Sequence, residues 1–220
     1  MGSITRGLSN NITTGGVISA SGITNATVAN ITSFPNASGG TLTLLSTQTA
    51  SSSATISFTT GLDSTYDEYV FKFINIHPAT DGTTFHFQGS TNSGSSYGVA
   101  ITSSFFKASH DEADTATGLE YSAQSDLAQS TSYQPLLQLN DLGSDADQSV
   151  AGSLTLFNPS STTYVKHFIL TSNSSHPSDY TLNNFGAGYF NTTSAINAIQ
   201  FKMASGNFDG IIKLYGVKKS

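Results

Sequence analysis

From Thr41 to Val217 apolar and polar residues alternate with a period of two, and no stretch carries the 3.6-residue period of an amphipathic helix. In Ile56-Ser57-Phe58-Thr59 every second side chain is apolar; Tyr69, Phe71 and Phe73 share one face of a strand, and Val70, Lys72, Ile74 and Ile76 share the other. Successive side chains on a strand point to opposite faces, so the first run predicts a half-buried strand. The second, apolar on both faces near its end, predicts a central one. Phe85 and Phe87 follow a turn at Asp81-Gly82, and residues 155–157 and 164–171 predict a hairpin across Asn158-Pro159-Ser160-Ser161. Ile199, Phe201 and Met203 alternate with Gln200 and Lys202. A turn at Ser205-Gly206-Asn207, with Gly210, then leads into a last strand, Ile212-Lys213-Leu214-Tyr215-Gly216-Val217. About eight to ten strands at this spacing predict an all-β fold, a jelly-roll-like antiparallel β-sandwich, with an up-and-down barrel as the weaker alternative. The polar stretch 111–134 reads as a long connection between two halves, with a short helix near residues 125–129.

Residues 1–40 differ in kind. From Met1 to Leu62 the only charged side chain is Arg6, and Phe34 is the only aromatic in the first forty residues. A segment so poor in charge and in large apolar groups buries too little surface to offset its own ordering entropy. Ile12, Ile18, Ile23, Val28 and Ile31 recur mostly five or six residues apart among Gly and Asn turn formers, which fits neither a helix nor a coiled coil. The spacing predicts an extended arm whose isolated apolar pegs are attachment and oligomer contacts, fitting a neighbouring subunit or their own copies about a three-fold axis. A plain Gly/Ser/Asn linker is the competing reading. Gly39-Gly40 marks the hinge, so the expected division is an arm over 1–40 and a sandwich over 41–220.

With no cysteine, neither disulfides nor thiolate zinc can support a weak core, and stability must come from packing and association. The 14 Phe and 9 Tyr are concentrated after position 57, which places that core in the C-terminal part. A net charge of −6 with 10% charged residues argues against nucleic-acid binding, because phosphate neutralisation needs clustered Lys and Arg. No apolar run approaches the roughly 18 residues of a membrane span, so no membrane insertion is expected. The start lacks a basic segment followed by an apolar one, so synthesis in a cytoplasm is expected, and Asn30-Ile31-Thr32 and Asn191-Thr192-Thr193 read as compositional accidents rather than glycan acceptors.

Candidate chemistry is sparse. His110-Asp111-Glu112-Ala113-Asp114 is the densest group of potential ligands, and Asp111, Glu112 and Asp114 could offer oxygens to calcium. A solvated acidic loop outweighs that reading, and no cofactor is expected. Asp141, Asp145 and Asp147 form a second acidic loop, without the Gly and terminal Glu of an EF-hand. Asp67 and Glu68 adjoin the central strand, yet neighbours on a strand face opposite ways and cannot flank one sugar bond. The histidines form no ligand set: His86 and His167 fall inside predicted strands, and there is no Gly-x-Ser-x-Gly elbow and no phosphate loop. Tyr97, Tyr121, Tyr133 and Tyr180 lie in or beside polar loops, where aromatic faces could contact a surface ligand such as a sugar; anchoring of each loop to the sandwich is the better reading for any single one.

Three stretches carry a resemblance: Leu62-Asp63-Ser64-Thr65-Tyr66-Asp67-Glu68-Tyr69-Val70-Phe71-Lys72-Phe73, Leu156-Phe157-Asn158-Pro159-Ser160-Ser161, and residues 187–217 with the ending Ile212-Lys213-Leu214-Tyr215-Gly216. They resemble fibre-like virion structural proteins of tailed bacteriophages, especially those of marine cyanophages and relatives. Ile4-Thr5-Arg6-Gly7-Leu8 and Asn11-Ile12-Thr13-Thr14-Gly15-Gly16 resemble start regions of the same group. The resemblance implies a non-catalytic component of the phage particle, made in the host cytoplasm and assembled into the virion, with other virion proteins as partners. The expected form is a homotrimeric tail appendage, anchored by its arm and presenting the sandwich to a host surface glycan or protein. The chain carries no long shaft, so a decoration protein bound to the major capsid protein stands beside it; a polysaccharide depolymerase is the third reading.

Overall fold

The computed structural model describes residues 42–218, and among them no helix occurs. Twelve strands form two antiparallel sheets: β1 (Leu42–Ser53), β2 (Thr55–Phe58), β3 (Glu68–Pro78), β4 (Phe85–Ser90), β5 (Ile101–Asp111), β6 (Thr117–Tyr121), β7 (Gln134–Pro135), β8 (Val150–Phe157), β9 (Lys166–Ser175), β10 (Tyr180–Phe190), β11 (Ala198–Met203) and β12 (Phe208–Val217). The larger sheet runs β1-β12-β3-β8-β9-β10-β5-β6 and the smaller β2-β11-β4-β7. Setting aside the hairpins β5–β6 and β9–β10, the remaining eight strands take the ranks 1-8-3-6 and 2-7-4-5, the wrapping of a jelly roll. The two hairpins add four strands to one edge of the larger sheet. The all-β sandwich expected from the alternation is therefore present, enlarged beyond eight to ten strands.

The layers are joined by phenylalanine. Phe201 on β11 lies 5.2 Å from Phe71 and 5.3 Å from Phe73 on β3, and it stacks at 5.8 Å on Phe85 of β4. A second group, Phe87, Phe168 and Phe190, ties the added hairpin β9–β10 to the smaller sheet, with ring centroids 5.1 to 6.1 Å apart. Edge-to-face pairs of this kind add roughly 0.5–1.5 kcal/mol each beyond area burial. The chain crosses from β1 to β2 over Ala54, a corner held by Ser52 N–H donating to Asp209 Oδ1 at 2.7 Å and Asn207 Nδ2 donating to Ser52 O at 2.9 Å.

The strand over Glu68–Pro78 is interior to its sheet, between β12 and β8, as expected. Its facing pattern departs from strict alternation, however. Asn75 takes φ 50° and forms a bulge, so Ile76 turns into the core beside Phe73, and Ile74 stays outward at 37% exposure. Gly210 (φ 134°) sits against this bulge; a Cβ there would lie 2.7 Å from Asn75 O. A second departure concerns residues 111–134, which contain strand β6 and no helix. Around Ser125 the chain makes a turn, Ser125 N–H donating to Ser122 O at 3.1 Å, while Ser125 Oγ accepts from Leu139 N–H at 3.2 Å. Serine hydroxyls spent on backbone groups compete with helical hydrogen bonding.

Candidate functional site

The turn after β5, the loop over 141–148 and the turn between β9 and β10 meet at one end of the molecule around a cleft of about 530 Å³. His110, Asp111, Glu112, Asp145, Asp147, His176, Asp179 and Tyr180 line it. The two acidic loops, read separately from the sequence, thus share one cleft, and His176 and Asp179 join them. Neither of those two stood out in the sequence; the only signal was the turn former Pro177 between alternating runs.

Most of these polar groups are occupied in holding turns. Asp111 is buried, and its Oδ1 accepts Thr115 N–H at 2.9 Å and Ala116 N–H at 2.8 Å; the Thr115 hydroxyl donates to Oδ2. The Thr115 hydroxyl, with these N–H groups, keeps the Asp111 carboxyl below the usual aspartate range. Glu112 N–H donates to Asp179 O at 2.9 Å, joining the two turns. Asp114 is exposed and lies 3.3 Å from His110 Nε2. Gln148 fixes the middle loop, its Oε1 accepting Asp145 N–H at 3.0 Å and its Nε2 donating to His176 O at 3.3 Å. Behind the cleft, Asp141 lies 3.3 Å from Lys107 Nζ and 3.5 Å from His176 Nε2. Because His176 Nδ1 accepts Ser178 N–H at 2.9 Å, that nitrogen is unprotonated and the ring proton sits on Nε2, facing Asp141. Among the described residues no group of three or more His, Asp and Glu is placed to hold a metal ion. The acidic rim supplies a negative field without a preformed coordination shell.

The four tyrosines do not form one platform. Tyr97 and Tyr133 come together over the outward face of the smaller sheet. Tyr133 donates its hydroxyl to Gln200 Oε1 and lies under Lys202 Nζ, 5.1 Å from the ring centroid; burial, and then Tyr97, push its hydroxyl pKa up. The Tyr97 hydroxyl is buried without a hydrogen-bond partner. Both rings act as loop anchors here. Tyr121, on edge strand β6, is exposed and donates to Asp126 Oδ2, whereas Tyr180 packs edge-on against His176 at 5.7 Å in the acidic cleft. Ile12, Ile18, Ile23, Val28 and Ile31 lie outside the described residues.

A second cleft, also about 530 Å³, is bounded by Phe157, Tyr164, Val165, His167 and Thr193. His167 is exposed on the sheet face, as its alternation with the buried Phe168 predicts. Lys166 beside it is fully buried, with Nζ donating to Tyr164 O at 2.6 Å and Thr192 O at 3.0 Å; burial lowers its pKa. It joins two loops. Compared with protein-family models, with curated proteins and with solved structures, the chain matches none of them.

Proposed function

We propose that this protein is a non-enzymatic structural component of a tailed-bacteriophage particle, a homotrimeric fibre-like appendage attached through residues 1–40, with its sandwich turned toward the host surface. The observation that carries the reading is where the resembling stretches fall. Residues 62–73 and 187–217 supply the first part of β3 and all of its neighbour β12 in the larger sheet, the end of β10, and β11 of the smaller sheet; residues 156–161 add the last two residues of β8, where Leu156 pairs with Tyr69. Tyr66 from the first stretch lies flat on Gly216 of the last, at 2.4 to 2.6 Å from where a Cβ would stand. The resemblance thus rests on residues that pack together in the scaffold, and a scaffold is what a particle component supplies. The occupation of Asp111, Asp141 and Gln148 in fixing turns and loops supports a binding role over turnover.

Antibody labelling of intact particles tests the placement. Label at the tail supports the appendage; label over the head replaces it with the decoration reading; label on neither rejects both. Substituting Asn for Ile12, Ile18, Ile23, Val28 and Ile31 is expected to abolish incorporation and to leave the melting temperature of the sandwich unchanged. Unchanged incorporation would make the arm a linker. Release of reducing sugar from host polysaccharide would overturn the non-enzymatic reading.

A further inference from the structure

The outward face of the larger sheet breaks the rule that an uncovered sheet face is polar. Residues directly opposite across antiparallel strands point the same way, so the registers define its rows. One row runs Ser104, Ala187, Ile169, Thr155, Val70, Tyr215, Leu44, and the next begins Tyr121, Phe106, Phe185, Thr171. Phe106 and Phe185 stack at 4.9 Å with their planes 13° apart, beside Leu119 at 74%, Ile169 at 52% and Phe106 itself at 44% exposure. Next to this ridge lies a hollow of about 420 Å³ over Ala151, Ser153, Thr171 and Asn173.

We propose that this face binds a second copy of the chain. Two observations select that occupant. The first is charge: of the fourteen acids in the sequence, only Glu68 lies on the four rows through Tyr189, Ala187, Phe185 and Asn183, with Asp126 bound to Tyr121 at the β6 edge, and Lys72 and Lys213 are the lysines there. A molecule of net charge −6 meets its own copy with least repulsion through the face that carries fewest of its acids. The second is extent. Seven strands about 4.8 Å apart and four outward rows about 6.8 Å apart give on the order of 900 Å² per copy, close to the roughly 800 Å² that a stable interface buries on each partner. The stacked pair and its neighbours, on β5 and β10 toward the β6 edge, form the apolar part of this face, and the hollow gives relief for the opposing ridge. A contact through the same face of both copies is two-fold, so it is an association separate from the arm-based trimer proposed above, and neither reading needs the other.

Sedimentation of the full chain at about 1–50 μM tests it, beside Phe106→Ser with Leu119→Lys, and Leu119→Lys alone as the milder variant. Leu119 is a surface site, so Leu119→Lys should match the wild type in circular dichroism and melting temperature; Phe106 is stacked on Phe185, so the double variant should keep the wild-type far-UV spectrum and melt somewhat lower while staying folded at the assay temperature. The proposal expects an oligomer whose dissociation constant rises at least tenfold for the single variant and a hundredfold for the double. A monomeric wild type overturns it, as does an oligomer that the double variant leaves intact but the arm substitutions dissolve; the latter leaves the attachment reading standing. Face variants that are monomeric like the wild type yet fail to enter particles would assign the face to another particle subunit, again against the proposal.

Discussion

Tyr69 shows how one residue joins a loop to the core. Its ring is fully buried, while its hydroxyl donates to Asp63 O at 3.0 Å and accepts Asp63 N–H at 3.1 Å, so the 63–68 loop closes over the sandwich end. Tyr69→Phe keeps the ring and orphans those groups, and a loss of about 1–3 kcal/mol in urea unfolding is expected. His86 carries a pH dependence. Desolvation, and then Lys202 opposite it, hold its pKa down to about 4 against an ordinary 6.5. The unfolded chain therefore takes up this proton first as pH falls. Stability is full above about 6.5, declines as pH falls toward 4, and the loss amounts to on the order of 3 kcal/mol. In His86→Gln the slope of unfolding free energy against pH should flatten within that window. Asp63 acts lower down: Thr65, chiefly through its side chain, depresses its pKa, so its contribution is present above the ordinary 3.8 and lost below it.

At the scale of elements, the last strand and the loop before β3 fit as a pair. Tyr66 packs edge-on to Tyr69 at 5.7 Å and covers Gly216, where the absence of a side chain is what admits its ring. Gly216→Ala should cost about 1–3 kcal/mol through overpacking. Combined with Tyr66→Ala it should cost less than the sum of the two, because the clash is then gone; a double-mutant cycle in urea measures the difference. Additive losses would place the strain elsewhere. The hairpin predicted across Asn158–Ser161 is the β8–β9 pair, and β5, β6 and β10 beyond it were the elements least legible in the sequence. Ser103, Ser172 and Asn184 stand where large apolar groups would fill inward positions, since the smaller sheet ends at β7 and the chain from Gln134 to Gln138 hydrogen-bonds to them. Period-two alternation fades where the cover is polar loop instead of a second sheet.

For the whole molecule, Phe87, Phe168 and Phe190 bridge the eight jelly-roll strands and the added hairpins, so the body from 42 to 218 should unfold in one cooperative transition. Phe168→Ala is expected to destabilise it by about 3–5 kcal/mol and to lower near-UV and far-UV circular dichroism transitions together. Separate transitions would mean that the hairpins form their own unit. By itself the sequence determined the fold class, the interior place of the strand through Phe71 and Phe73, and the aromatic core, because side-chain direction along a strand is a local property of the backbone. It determined less at Ile76, where a bulge that only the partner strand requires shifts the alternation. Strand order and register were needed to bring the two acidic loops to one cleft, to separate the four tyrosines, and to gather Tyr121, Phe106, Phe185 and Ile169 into one apolar ridge across β6, β5, β10 and β9. Order and register belong to the tertiary structure: they are set by contacts between residues far apart in the chain, and local alternation carries no record of which strand lies beside which.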